Sequence, residues 1–86
     1  MRIDVRKSFL KQYRKLSKPS QERVANAMKI FQQNPFDERL KNHALVGEAK
    51  GKRSMSAGFD LRIIFTVEGD YIIVVMIAVG THNQIY

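Results

Sequence analysis

Charged and apolar residues alternate from Arg2 to Val5, the two-residue period of a strand with one wetted face. From about Arg6 to Leu16 the period lengthens to that of a helix. Phe9, Leu10, Tyr13 and Leu16 share one face, and Lys7, Lys11, Arg14 and Lys18 form a basic stripe opposite. Ser17-Lys18-Pro19-Ser20 breaks that pattern, because serine is a preferred N-cap and proline sits readily in a first turn. A second helix is then expected from about Pro19 to Gln33, with Val24, Ala27, Met28 and Phe31 at core spacing. Asn34-Pro35 ends it, since the residue before proline is pushed out of helical geometry. Two helices joined so tightly should form an antiparallel hairpin whose apolar faces need a cover.

Phe36 to Gly51 reads as a loop pinned by Leu40 and Leu45. Three strands follow. The first spans Lys52 to Ser56, and the second, Leu61 to Val67, puts Leu61, Ile63, Phe65 and Val67 on one face. Glu68-Gly69-Asp70 is a hairpin turn, and Tyr71 to Val79 is apolar on both faces, as a covered central strand would be. There are no repeats, linkers or low-complexity segments. The expectation is one α+β domain over residues 1–86. Its N-terminal strand and antiparallel helical hairpin pack on one face of a mainly antiparallel four-stranded sheet.

Charge adds a partner class to this picture. Of 86 residues, 15 are Lys or Arg and 8 Asp or Glu, for a net +7. Residues 1–53 hold 14 of the basic residues and 5 of the acidic ones, so the C-terminal third is slightly negative. A basic region of that kind is the footprint of a polyanion such as nucleic acid. The absence of cysteine excludes a disulfide scaffold, a thiolate nucleophile and a cysteine-ligated zinc site. The longest apolar run, Tyr71 to Gly80, is shorter than the ~18 residues of a membrane span, and the charged N-terminus lacks a leader's apolar stretch. A cytoplasmic protein without a membrane partner is expected.

Two histidines, His43 and His82, are the cheapest general acids or bases near neutral pH. His82 leaves the last strand in Gly80-Thr81-His82-Asn83, a rigid platform for a positioned imidazole. His43 lies in the Lys41–Gly47 loop. Asp60 opens a strand beside Arg62, where it is either a base, an orienting carboxylate or a turn former paired with that arginine. Gly47, Lys50, Gly51, Lys52 and Arg53 make a glycine-punctuated basic loop suited to phosphate, though not a P-loop. Histidines so far apart in sequence argue against metal catalysis, and no cofactor motif is present. These residues support a basic nucleic-acid-binding domain with an acid–base site.

The same residues carry a resemblance. Asn42-His43-x-Leu45-x-Gly47, Gly51-Lys52-Arg53-Ser54, Asp60-Leu61-Arg62-Ile63-Ile64-Phe65 and Gly80-Thr81-His82-x-x-Ile85-Tyr86 together resemble the YafQ branch of the RelE/ParE toxin superfamily. The match in motif runs from Asn42 to the end, with the strand and helical hairpin before it fitting the fold. The resemblance implies the toxin of a type II toxin–antitoxin module: a metal-independent mRNA endoribonuclease, ribosome-dependent, bound by an acidic, partly disordered antitoxin. By the same resemblance His82, His43 and Asp60 are the catalytic candidates, Tyr86 matches the terminal aromatic, and Arg53, Arg62, Lys50 and Lys52 are phosphate or RNA ligands. The chain departs from the pattern at Ser56, where the family has a further histidine, and at Ala78, where it has an arginine. On this reading His82 is the general acid and Asp60 or His43 the base. Two alternatives remain: a ParE-like toxin that binds DNA gyrase, and an inactive antitoxin- or RNA-binding relative.

Overall fold

The computed structural model describes residues 1–86 as strand β1 (Arg2–Val5), helices α1 (Lys7–Arg14) and α2 (Lys18–Gln33), strands β2 (His43–Ala44), β3 (Arg53–Ser56), β4 (Leu61–Glu68) and β5 (Ile73–Thr81), and a last turn of helix α3 (His82–Ile85). The sheet is mixed, in the order β1-β5-β4-β3-β2, with β1 parallel to β5 and the other pairs antiparallel. The α+β architecture is the expected one, with five strands in place of four. The extra strand lies within the segment read as loop: two residues, His43 and Ala44, pair with Ser54 and Arg53. No helix is long and apolar enough to cross a membrane.

Local chemistry sets these boundaries. Ser17 caps α2 by accepting from the Ser20 N–H, so Lys18 begins the second helix and the basic stripe on α1 is limited to Lys7, Lys11 and Arg14. Strand β5 starts two residues later than its apolar content suggests. Asp70 and Tyr71 adopt left-handed backbone (φ 57° and 73°), and the Ile72 N–H returns to the Glu68 and Gly69 carbonyls, closing a turn that absorbs Tyr71 and Ile72.

Alternation on β4 sends Leu61, Ile63 and Phe65 into a core with Phe9, Val24, Ala27 and Phe31 of the helices and Met55, Val74, Met76 and Val79 of the neighbouring strands. Phe31 meets Phe65 edge-to-face at 5.2 Å. An irregularity after Ile64 skips Ile77, since Ile64 pairs with Ala78 and Phe65 with Met76. The skip lets Met76 and Val79 face the same core.

Strand β1 is shorter than β5, which leaves β5 backbone groups beyond Met76 without a strand partner. Helix α1 satisfies them: the Ser8 hydroxyl donates to the Ile77 carbonyl, and the Gln12 side-chain carbonyl accepts from the Val79 N–H at 2.9 Å. Gln12→Ala should therefore lower stability by about 1–3 kcal/mol, because the N–H of a buried residue is orphaned. Urea titration checks this, with an unchanged midpoint as the contrary result.

A candidate active site on the open face of the sheet

The register builds the site. On the face away from α1 and α2, His43, Ser54, Ile64 and Ala78 stand in one row across β2 to β5, and Ser56, Arg62 and Gly80 stand in the next. Helix α3 folds back over these rows. A Cβ on Gly80 would lie 2.9 Å from Gln84 Oε1 and 3.0 Å from Ile85 Cγ2, so a larger residue here would have to displace those side chains for α3 to return so closely. The Gln84 side chain accepts from the Thr81 N–H at 2.8 Å and fixes the start of α3. At its end the Tyr86 hydroxyl donates to the hydroxyl of fully buried Ser54.

Between α3 and the loop after β2 lies a cavity of about 420 Å³, lined by His43, Leu45, Val46, Ala49, Arg62, His82 and Tyr86. His82 and Tyr86, four residues apart, share one side of α3, with ring centroids 4.5 Å apart and edge-to-face. His43 is held from the opposite wall: its Nδ1 lies 2.8 Å from the Lys41 carbonyl. A carbonyl only accepts, so in the neutral ring Nδ1 carries the proton and Nε2 keeps its lone pair as an acceptor. Lys41 presents that carbonyl from left-handed backbone (φ 51°), at the end of the short turn Glu38–Leu40. Asp37 caps this turn, and the Arg39 side-chain and backbone hydrogen bonds hold its carboxyl down to about 2. Its stabilising contribution is complete above the ordinary carboxylate range and is lost as pH falls toward 2.

Arg62 is the only lysine or arginine lining the cavity. It is half-buried, and its Nη1 donates to the carbonyls of Leu61 at 3.0 Å and Phe59 at 3.2 Å, which aims the guanidinium from a central strand. Leu45, Val46 and Ala49 supply an apolar wall, with Val46 85% exposed. Lys50 and Lys52 belong to the same loop as Ala49 and are exposed, outside the lining.

Two candidates lie elsewhere. Arg53 pairs with Phe65 and so falls on the helix side of the sheet, where its Nε donates to Asn42 Oδ1 at 2.8 Å and its guanidinium lies 5.9 Å from the Phe36 ring. Asn42 in turn donates to the Pro35 carbonyl and the Tyr71 hydroxyl, so Arg53 braces the residue next to His43 and does not enter the cavity. Asp60 is exposed, makes no hydrogen bond or ion pair, with Arg62 or any other group, and does not line the cavity. Nothing in the sequence marks Ser54 as the anchor of Tyr86, since only the strand register shows which face that serine occupies.

A family model for YafQ, a bacterial toxin of type II toxin–antitoxin systems, matches residues 1–86. No curated protein sequence matches the chain. Among solved structures, the fold is similar to YafQ from E. coli strain BL21(DE3), with a TM-score of 0.83 and 20% identity over 100% of this chain and 99% of that one. It is similar to a chain of the E. coli DinJ-YafQ complex, at 0.70 and 20% over 100% and 99%. It is also similar to a chain of the archaeal RelE-RelB complex from Pyrococcus horikoshii OT3, at 0.75 and 19% over 96% of each.

Proposed function

The chain belongs to the YafQ family of type II toxin–antitoxin toxins, and from that premise we propose that it is an endoribonuclease that cleaves mRNA, with the ribosome presenting the message, by general acid–base chemistry. The observation that carries the reading is that the chain's two histidines, 39 positions apart in the sequence, line one cavity together with Arg62.

In this mechanism His43 Nε2 takes the proton of the 2′-hydroxyl. The 2′-oxygen attacks the adjacent phosphorus, the bond to the 5′-oxygen breaks, and the His82 imidazolium protonates that leaving oxygen. Arg62 neutralises the charge that builds on the phosphoryl oxygens. The products are a 2′,3′-cyclic phosphate and a 5′-hydroxyl, and the two imidazoles exchange their protons with water before the next turnover. Where the family resemblance puts an arginine on β5, this chain has Ala78, and Arg62 supplies the cation from the adjacent strand. Lys7, Lys11 and Arg14 on α1, with Lys50 and Lys52 by the cavity, add the longer-range attraction for RNA.

The cognate partner in this reading is an acidic antitoxin that covers the basic surface. The +7 charge supports that expectation, as do the antitoxin complexes of the similar DinJ-YafQ and RelE-RelB folds.

Induction in growing cells followed by primer extension on a translated message tests the reading: growth arrest with discrete new 5′ ends is expected. Arrest without cleavage, accompanied by loss of gyrase supercoiling in vitro, points to the ParE-like alternative. Within the site, His43→Ala should lower cleavage more than Asp60→Ala does, because only His43 lines the cavity. The reverse order would return the base to Asp60.

A further inference from the structure

We propose that the turn between β3 and β4 is a second nucleotide-binding subsite, in which a base of single-stranded RNA beside the cleaved bond stacks on Phe59 while Arg23 holds a backbone phosphate. The proposal rests on the nuclease reading and extends it beyond the histidine cavity.

Phe59 combines two unfavourable features. The residue is 82% exposed, and its backbone is left-handed with φ 47°, a conformation that suits asparagine or glycine and strains a bulky side chain. The turn, closed by the Leu61 N–H donating to the Gly58 carbonyl and the Ala57 N–H donating to the Leu61 carbonyl, needs the left-handed backbone at this position but not an aromatic side chain. What the arrangement provides is a presented aromatic surface. The Arg23 guanidinium of α2 sits 4.2 Å from the ring centroid and supports one face, leaving the rest open. Arg23 is half-buried and has no acidic partner, so its charge is available.

Beside the ring a cleft of about 240 Å³ opens between α2 and the turn, lined by Arg23, Asn26, Arg39 and Ser56 among others. Arg39 is engaged by Asp37 through two bonds of 2.9 Å, which makes Arg23 the cation a phosphate would meet first. The turn is joined to the catalytic cavity as well. Arg62, which lines that cavity, donates to the Phe59 carbonyl. That bond ties the turn carrying Phe59 to the arginine of the cavity. A flat ring backed by a guanidinium matches a nucleobase and its phosphate, the pairing by which single strands are held without base-specific hydrogen bonds. A folded protein partner would need a wider surface than one ring.

Fluorescence anisotropy with a short, mixed-sequence 2′-O-methyl oligoribonucleotide, which lacks the attacking hydroxyl, measures the subsite on the full chain. Phe59→Asn suits the left-handed backbone, so it should keep the parent's thermal midpoint while raising Kd about 5- to 150-fold. Phe59→Tyr should bind as the parent does. Arg23→Ala should lower the magnitude of the log–log salt slope by about 0.7. Parental affinity in Phe59→Asn, or an unchanged slope in Arg23→Ala, overturns the subsite. If the parent still cleaves a translated message in that case, the nuclease reading stands. A parent that neither binds nor cleaves RNA removes both.

Discussion

His82→Ala should reduce message cleavage about 10²–10⁴-fold, the usual worth of one general acid, and leave the fold intact. The separation of those two effects follows from where the imidazole sits. His82 is exposed at the start of α3, where its imidazole packs edge-to-face with the Tyr86 ring. The return of α3 depends on other groups: the Gln84 contact with the Thr81 N–H, the glycine seat at position 80 and the Tyr86–Ser54 hydroxyl contact. Removing the ring thus deletes a proton donor and little packing. Primer extension on an induced message measures the loss, and thermal denaturation checks that the midpoint is unmoved. Parental cleavage by His82→Ala would remove the imidazole from the chemistry.

Arg62→Ala is expected to cost about 10²–10³-fold, comparable to deleting one preorganised donor from an oxyanion site. No other lysine or arginine lines the cavity, and the Arg62 guanidinium is oriented before substrate arrives by the Leu61 and Phe59 carbonyls. Arg62→Lys should fall between the parent and the alanine variant, because an ammonium keeps the charge and loses the planar fork. Ala78 stands on the same face as Arg62, on the adjacent strand, so adding Ala78→Arg to Arg62→Ala should recover part of the activity. A double variant no better than Arg62→Ala would show that charge near the phosphate is insufficient without the β4 geometry. An Arg62→Ala variant as active as the parent would end the phosphate role.

Periodicity made most of the architecture readable. Leu61, Ile63 and Phe65 alternate cleanly because β4 has the core on one side, and Phe9, Val24, Ala27 and Phe31 follow helical spacing onto that core. Strand β2 escaped because two residues carry no period; its existence depends on Ser54 and Arg53 across the sheet. Tyr71 and Ile72 misled for a different reason: their apolar side chains resemble strand, while their backbone belongs to a turn.

The candidate site was legible in part. Its residue types, two imidazoles with an arginine and a terminal aromatic, stood out in the sequence. Their faces did not. Arg53 and Arg62 both lie in strands near glycine-containing turns, and only pairing with Phe65 on one hand and Gly80 on the other sends them to opposite sides. Asp60 precedes a strand whose alternation is clear, yet the exposed turn around it provides no contact that would direct its carboxylate into the cavity.

The chemistry of the cut ends tests the central claim most directly. Cleavage of a translated message by the parent protein should leave a 2′,3′-cyclic phosphate on the upstream fragment and a 5′-hydroxyl on the downstream one, as attack by the neighbouring 2′-oxygen requires. A 3′-hydroxyl upstream with a 5′-phosphate downstream would mean that water attacked the phosphorus, and would contradict the roles given to His43 and His82.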